Sequence, residues 1–196
     1  MVERPACAYQ PYYCEENIYK LCEMVSQQNY DQLNNFHVIF ISNPSQKIPL
    51  WSQRIGDTTE DGLVLWDYHV VLLDAQSGVV YDFDTTLPFP VSLDVFVTAM
   101  LRSNKALRNV YKRYLRLIPA PVYVKLLSSD RRHMRAADGR WLQPPPDWPP
   151  IFNDAAGHNL QQLYMFPTSV TIDSHNGVVI MDSDELLDWC GKNKKQ

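Results

Sequence analysis

Along residues 15–27 the apolar positions are Ile18, Leu21, Cys22 and Met24–Val25, a three-and-four spacing that lines one face of a helix. Glu15 and Glu16 fall in its first turn, where unpaired N–H groups favour negative charge. The pattern then changes. FHVIFISN (36–43) and LWDYHVVLLDA (65–75) are runs of β-branched, aromatic and aliphatic residues, which predict strands. SGVVYDFDTT (77–86) resumes that pattern after a Ser–Gly turn, so 65–85 predicts a β-hairpin. SLDVFVTAMLRSN (92–104) opens on a serine fit to cap a helix and sets Val95, Phe96, Ala99 and Met100 at helical spacing. ALRNVYKRYLRLIPA (106–120) is basic and amphipathic and is expected to turn into a strand near Leu115. VVIMDSDELLDWCGKNKKQ then reads as a strand, a short helix begun by Ser183 or Asp184, and a charged end. A helix followed by mostly strands with helices around them gives an α+β class, an antiparallel sheet flanked by helices in an α-β-α sandwich.

The prolines of QPPPDWPP (143–150) must run extended and donate no backbone hydrogen bond. Only 46 residues follow, too few for an independent core, so the segment is expected to be a strap on a single domain spanning 1–196. With 45% hydrophobic and 20% charged residues, such a chain can bury a sizeable core. A net charge of −4 without a basic surface argues against nucleic acid as a partner. No apolar run approaches the roughly 20 residues that cross a bilayer, and MVERPACAYQ lacks the apolar stretch of a secretory signal. The four cysteines (7, 14, 22 and 190) have neither disulfide density nor zinc-ligand spacing. They are expected as thiols in a reducing compartment, the cytoplasm and also the nucleus. Nothing in the chain demands more than a monomer.

One thiol stands out by position. Cys14 sits at the mouth of the first helix, where the dipole and unpaired N–H groups favour a thiolate. The adjacent glutamates oppose this, so a cationic partner is needed, and histidine would also supply acid–base chemistry. His37 opens an apolar strand and reads as structural, His158 and His175 lie in polar, turn-like sequence and read as solvated, and His133 could line a site. His69 enters a buried strand, and a hairpin turning near 77 brings it opposite residues 84 or 85. Asp82 and Asp84 are both in reach on the same face, and either could orient the imidazole and stabilise its cation.

YCEENIYKLCE (13–23), VIFISNPSQKIPLW (38–51), WDYHVVLL (66–73), VYDFDTTLPFP (80–90) and SDRRHM with GRWLQPPP (129–146) together resemble the protein N-terminal glutamine amidohydrolase family. The similar blocks run in order over about three quarters of the chain and match loosely after residue 150. The resemblance implies a papain- or transglutaminase-like catalytic core with the nucleophile on Cys14, the histidine on His69 and the aspartate on Asp82. It implies conversion of a protein's N-terminal glutamine to glutamate with release of ammonia, feeding arginylation and the N-degron pathway. It implies no metal and no organic cofactor, and partners that are proteins or peptides beginning with glutamine.

Such a substrate presents an α-ammonium, which wants a carboxylate or backbone carbonyls. Glu15, Asp67 and Asp84 are candidates by placement beside the triad, and each could instead be a helix cap, strand-edge pair or turn former. Tyr13 and Trp66 are candidates to wall the pocket. Three alternatives compete: a cysteine protease or acyltransferase on a similar triad, which needs an extended peptide groove; a non-catalytic reader of N-terminal residues; and a plain structural or scaffolding protein, which predicts no unusual thiol.

Overall fold

The computed structural model describes residues 3–153, 157–167, 174–175 and 177–193. Helix α1 (Cys14–Gln28) buries Ile18, Leu21, Cys22 and Val25, the stripe that the spacing predicts. Truncating one of these, Leu21→Ala for instance, removes contacts worth about 2–5 kcal/mol. The chain returns as β1 (Phe36–Ser42), and β2 (Ile48–Leu50) pairs with β3 (Val64–Trp66) in a small sheet of their own. Next come β4 (His69–Asp74), β5 (Val79–Tyr81) and β6 (Val91–Ser92). Helix α2 (Leu93–Val95) runs on as a π-helical turn through Phe96–Leu101. Strand β7 (Tyr114–Pro119), α3 (Ala120–Leu126), α4 (Leu160–Tyr164), β8 (Ser174–His175), β9 (Val178–Asp182) and α5 (Leu186–Asn193) complete the described chain.

Seven strands form one sheet, ordered β6-β5-β4-β1-β7-β9-β8, with every neighbouring pair antiparallel. Its central strands are apolar on both faces because helices cover both. Val38, Phe40, Val70 and Leu72 pack with α1, Tyr123 of α3 and Leu163 of α4. Ile39, Ile41, Val71 and Leu73 pack on the opposite side with Phe96, Met100, Leu186 and Cys190. The α+β class and flanked antiparallel sheet are those expected from the pattern.

Three local expectations change. LWDYHVVLLDA is two strands in two sheets, broken at Asp67–Tyr68, where Asp67 Oδ1 accepts from the Tyr68 amide and Ser42 Oγ donates to the Asp67 carbonyl. That break turns Trp66 and His69 toward one place. The hairpin strand β5 stops at Tyr81, so 82–90 is loop. The last helical segment is capped not by Ser183 or Asp184 but by Asp182, in a reciprocal capping box with Glu185. Ser92 caps α2 as expected, accepting from the Val95 amide.

Candidate active site

Cys14 is the first residue of α1 and opens onto a cavity of about 280 Å³, whose walls include Trp66, Asp67, His69, Asp84 and His133. His69 begins β4, set against Ile41 of β1, and its Nε2 lies 2.9 Å from Asp82 Oδ1. Both side chains are buried. The β4–β5 register pairs Leu72 with Tyr81, and continued it would bring Asp84 opposite His69. The chain leaves the strand after Tyr81 instead, and Asp82 is the residue bonded to the imidazole. Asp82 Oδ1 also accepts from the Asp84 amide at 2.9 Å, and Arg4 donates to the carbonyls of Asp82, Thr85 and Leu87, which fixes the loop. Trp66 stacks on the His69 ring at 5.6 Å and is itself held by Gln53 Oε1.

Burial alone would push the His69 pKa down, but the charge and hydrogen bond of Asp82 outweigh it and hold the imidazole above its ordinary value. The thiol behaves in the opposite way to the expectation from its helix position. Burial, then Glu15, then Asp84 raise the Cys14 pKa well above that of an ordinary thiol, and the Val70 amide opposes them only in part. The helix N-terminus loses to desolvation and to carboxylates at closer range. Cys14 Sγ is hydrogen-bonded to Glu15 Oε2 at 3.7 Å, while His69 Nδ1 is buried with no hydrogen-bond partner. Glu15 is fully buried, and desolvation pushes its carboxyl up to about 7.

Residues 9–189 match the family model for N-terminal glutamine amidase. The chain belongs to that family. It is 45% identical over 157 residues to the protein N-terminal glutamine amidohydrolase of Drosophila mojavensis, covering 79% of this chain and 76% of the relative. The proteins of the same name from Drosophila ananassae and Drosophila melanogaster are 45% and 44% identical over the same lengths. Cys14, His69 and Asp82 all lie inside the span matched by the amidase family.

Within this amidase fold the expected pocket residues are distributed unevenly. Trp66, Asp67 and Asp84 line the cavity, and Tyr9 donates to Asp84 Oδ1 at 2.6 Å. Tyr13, expected on the wall, is fully buried instead, with its hydroxyl on the Gln143 carbonyl and its ring beside the Arg131 guanidinium; Tyr12 takes the wall position. Glu15 sits behind Cys14 and Tyr68, accepting from the Tyr68 hydroxyl at 3.0 Å. His158, read as solvated, is mostly buried with Nδ1 3.3 Å from Asp130; the side chain of His175 lies outside the described residues. In the sequence Glu16 reads only as a charge in the first turn of α1, and nothing singles out Arg131. Arg131 pairs with both carboxylate oxygens of Glu16 at 2.8 and 2.7 Å, and also donates to the carbonyls of Pro146 and Trp148. Trp148 Nε1 adds a third donor to Glu16. The proline strap is thereby tied to the first turn of α1, two residues from the thiol. No sequence signal linked positions 115 residues apart. His69, Asp82 and Asp84 bring metal-capable atoms within 4.8 Å of one another, but His69 and Asp82 direct these atoms at each other.

Proposed function

We propose that this chain is a thiol amidohydrolase that converts the N-terminal glutamine of proteins or peptides to glutamate and ammonia, with Cys14 as nucleophile, His69 as acid and base, and Asp82 as the group that orients His69. The observation that carries the reading is that His69, bonded to the buried Asp82, lines the same small cavity as Cys14 in a chain of this family. His69 Nε2 is occupied by Asp82, which leaves Nδ1 as the atom to accept the thiol proton once Sγ turns from Glu15.

The thiolate attacks the side-chain carboxamide carbon, and the carbonyl π electrons move onto oxygen. The main-chain N–H of Cys14, at the open end of α1, is the donor assigned to that oxyanion. The imidazolium of His69 gives its proton to the departing nitrogen, the C–N bond breaks, and ammonia leaves a γ-glutamyl thioester. His69, neutral again, takes a proton from water as it attacks the thioester. The C–S bond breaks, and glutamate is released as Cys14 regains its proton. Asp82 keeps the imidazole in the tautomer and orientation both steps need. Within the cytoplasm or nucleus the new N-terminal glutamate is a substrate for arginylation. A cavity of about 280 Å³ is at the small end for ligand sites, roughly 300–1,000 Å³, which suits one residue better than the extended groove of a protease.

Ammonia release from matched peptides with glutamine at the first or an internal position tests this reading. Release from the first peptide only, abolished by Cys14→Ala, is the expected result. Equal release from both peptides would overturn it.

A further inference from the structure

Two polar groups beside the nucleophile lack partners, and they face each other. Glu15 Oε1 is buried and accepts no hydrogen bond, and neither ring nitrogen of His133 has a partner. His133 Nε2 lies 3.6 Å from Glu15 Oε1, too far for a hydrogen bond between them. Leaving a buried carboxylate oxygen and an imidazole nitrogen both unsatisfied is costly, and such pairs are rare without a ligand to explain them. Around Glu15 stand Cys14, Glu16, the Tyr68 hydroxyl on Oε2, the Tyr123 hydroxyl on its main-chain carbonyl, and His133. None of these is a cation at neutral pH, because burial pushes the His133 pKa down to about 4.

We propose that Glu15 Oε1 and His133 Nε2 together form the site that reads the α-ammonium of the substrate's first residue. The inference rests on the deamidase reading and assigns the recognition step within it. An ammonium has three N–H donors and one positive charge. The carboxylate oxygen and the neutral imidazole lone pair are 3.6 Å apart in the free protein; once the ring gives way by about 1 Å they can accept two of those donors at once, and Glu15 supplies the counter-charge.

The two carboxylates that line the cavity itself, Asp84 and Asp67, are already served. Asp84 Oδ1 takes the Tyr9 hydroxyl, and His69 and Arg54 offset its charge. Asp67 is exposed to water and accepts from the Tyr68 amide. Glu15, just behind the wall formed by Cys14, Tyr68 and His133, is buried and without a cation.

Glu15 Oε1 is buried in the free protein, and the His133 ring is packed beside it. That ring can yield. It is held by no hydrogen bond, and, like Tyr164, it lines both the catalytic cavity and a second one of about 270 Å³ lined also by Arg132, His158 and Gln161. A small shift of His133 toward the second cavity makes room for an ammonium between the carboxylate and the ring nitrogen.

Recognition and activation then share one residue. Glu15 is the neighbouring charge that most opposes a thiolate at Cys14, and an ammonium seated on it cancels that opposition. An Nα-acetylated or internal glutamine brings no such charge.

The test uses full-length Cys14→Ala protein, so that binding is read without turnover. Calorimetry compares a Gln-initiated peptide with its glutaramoyl analogue, in which hydrogen replaces the α-amine. The amine is expected to tighten binding by roughly 10- to 100-fold, the range of a charge-assisted hydrogen bond. Adding Glu15→Gln should reduce that ratio to about threefold or less, and His133→Ala, on a loop, should reduce it part-way, with unfolding curves confirming that each variant is folded. An amine preference that survives Glu15→Gln intact, or no preference at all, would overturn the site. Ammonia release by the wild-type protein reports separately on deamidation. Amine reading lost in Glu15→Gln with no ammonia release would keep the site and sink the deamidase. Ammonia release with amine reading indifferent to Glu15 would do the reverse.

Discussion

Glu15→Gln should stabilise the free protein above neutral pH and do little in acid. Desolvation raises the Glu15 carboxyl from 4.5 to about 7, so the folded chain holds that proton more tightly than the unfolded chain does. Glu15's favourable contribution is therefore fully present below about pH 4.5 and is lost as the pH rises through about 7. At about 1.4 kcal/mol per unit, the shift amounts to about 3 kcal/mol by pH 8. Glutamine has the same shape without the ionisation. Its carbonyl still accepts from Tyr68, and its amide replaces the unpartnered Oε1 with a donor aimed at His133 Nε2. Thermal unfolding without substrate should show Glu15→Gln melting roughly 6–12 °C above wild type at pH 8, using about 2–4 °C per kcal/mol for a chain of this size. At pH 5 the gain should be about 1 kcal/mol or less. A shift of equal size at both pH values, or a loss at pH 8, would refute the claim that Glu15 is an ionisable group forced into an apolar place.

Asp82→Asn should lower kcat by roughly 10²–10⁴-fold with the fold intact, because an amide cannot stabilise the imidazolium and can present its N–H to the ring; steady-state ammonia release measures it, and a change below tenfold would remove Asp82 from the mechanism. The same substitution should lose the stabilisation that Asp82 gives folded His69, a contribution present below about pH 6.5 and lost as pH rises through the raised folded value. Arg131→Ala strands the buried Glu16 carboxylate and should cost about 3–5 kcal/mol, seen as a fall in melting temperature; Glu16→Gln with Arg131→Met should recover a good part of it. A loss under about 1 kcal/mol would mean that the strap is not held by this pair.

Much of the sheet could be read from periodicity because its central strands are long and covered on both faces. FHVIFISN has one structure compatible with seven successive buried or half-buried positions, and it adopts it. LWDYHVVLLDA does not, because its break depends on two hydrogen bonds, one of them from Ser42, 25 residues away. Sequence alone could place His69 near the YDFD loop but could not choose its aspartate. Strand pairing alone would have favoured Asp84, whereas the resemblance assigned Asp82, and Arg4 now helps hold the loop that brings Asp82 to the ring. Contacts made by long side chains over great separations left no trace in the pattern. Glu16 with Arg131, Tyr9 with Asp84 and Glu15 with His133 are all of this kind. The opposition of Glu15 to a thiolate at Cys14 was visible in the sequence, but the burial of the thiol and the approach of Asp84, about 70 positions on, were not.

If Glu15 holds the α-ammonium, the cavity becomes a ruler, and this bears on asparagine. With the amine fixed at Glu15, the distance to Cys14 Sγ is set by the protein, and the substrate side chain must span it. An N-terminal asparagine keeps the ammonium and the same carboxamide, so its affinity for the anchor should differ little from that of glutamine, within the roughly 1–3 kcal/mol of a methylene. Its carbonyl carbon, however, falls short by about one C–C bond, roughly 1.5 Å. A displacement of about 1 Å from attack geometry can cost on the order of 10² in rate. Discrimination should thus appear mainly in kcat: at least about 10²-fold slower ammonia release from an Asn-initiated peptide, with KM changed by roughly tenfold or less. Glu15→Gln, which frees the amine end, should narrow the kcat gap by letting asparagine slide toward the thiol. Discrimination confined to KM would instead mean that asparagine is rejected by the walls before it reaches the nucleophile, and the anchored-ruler account would fail.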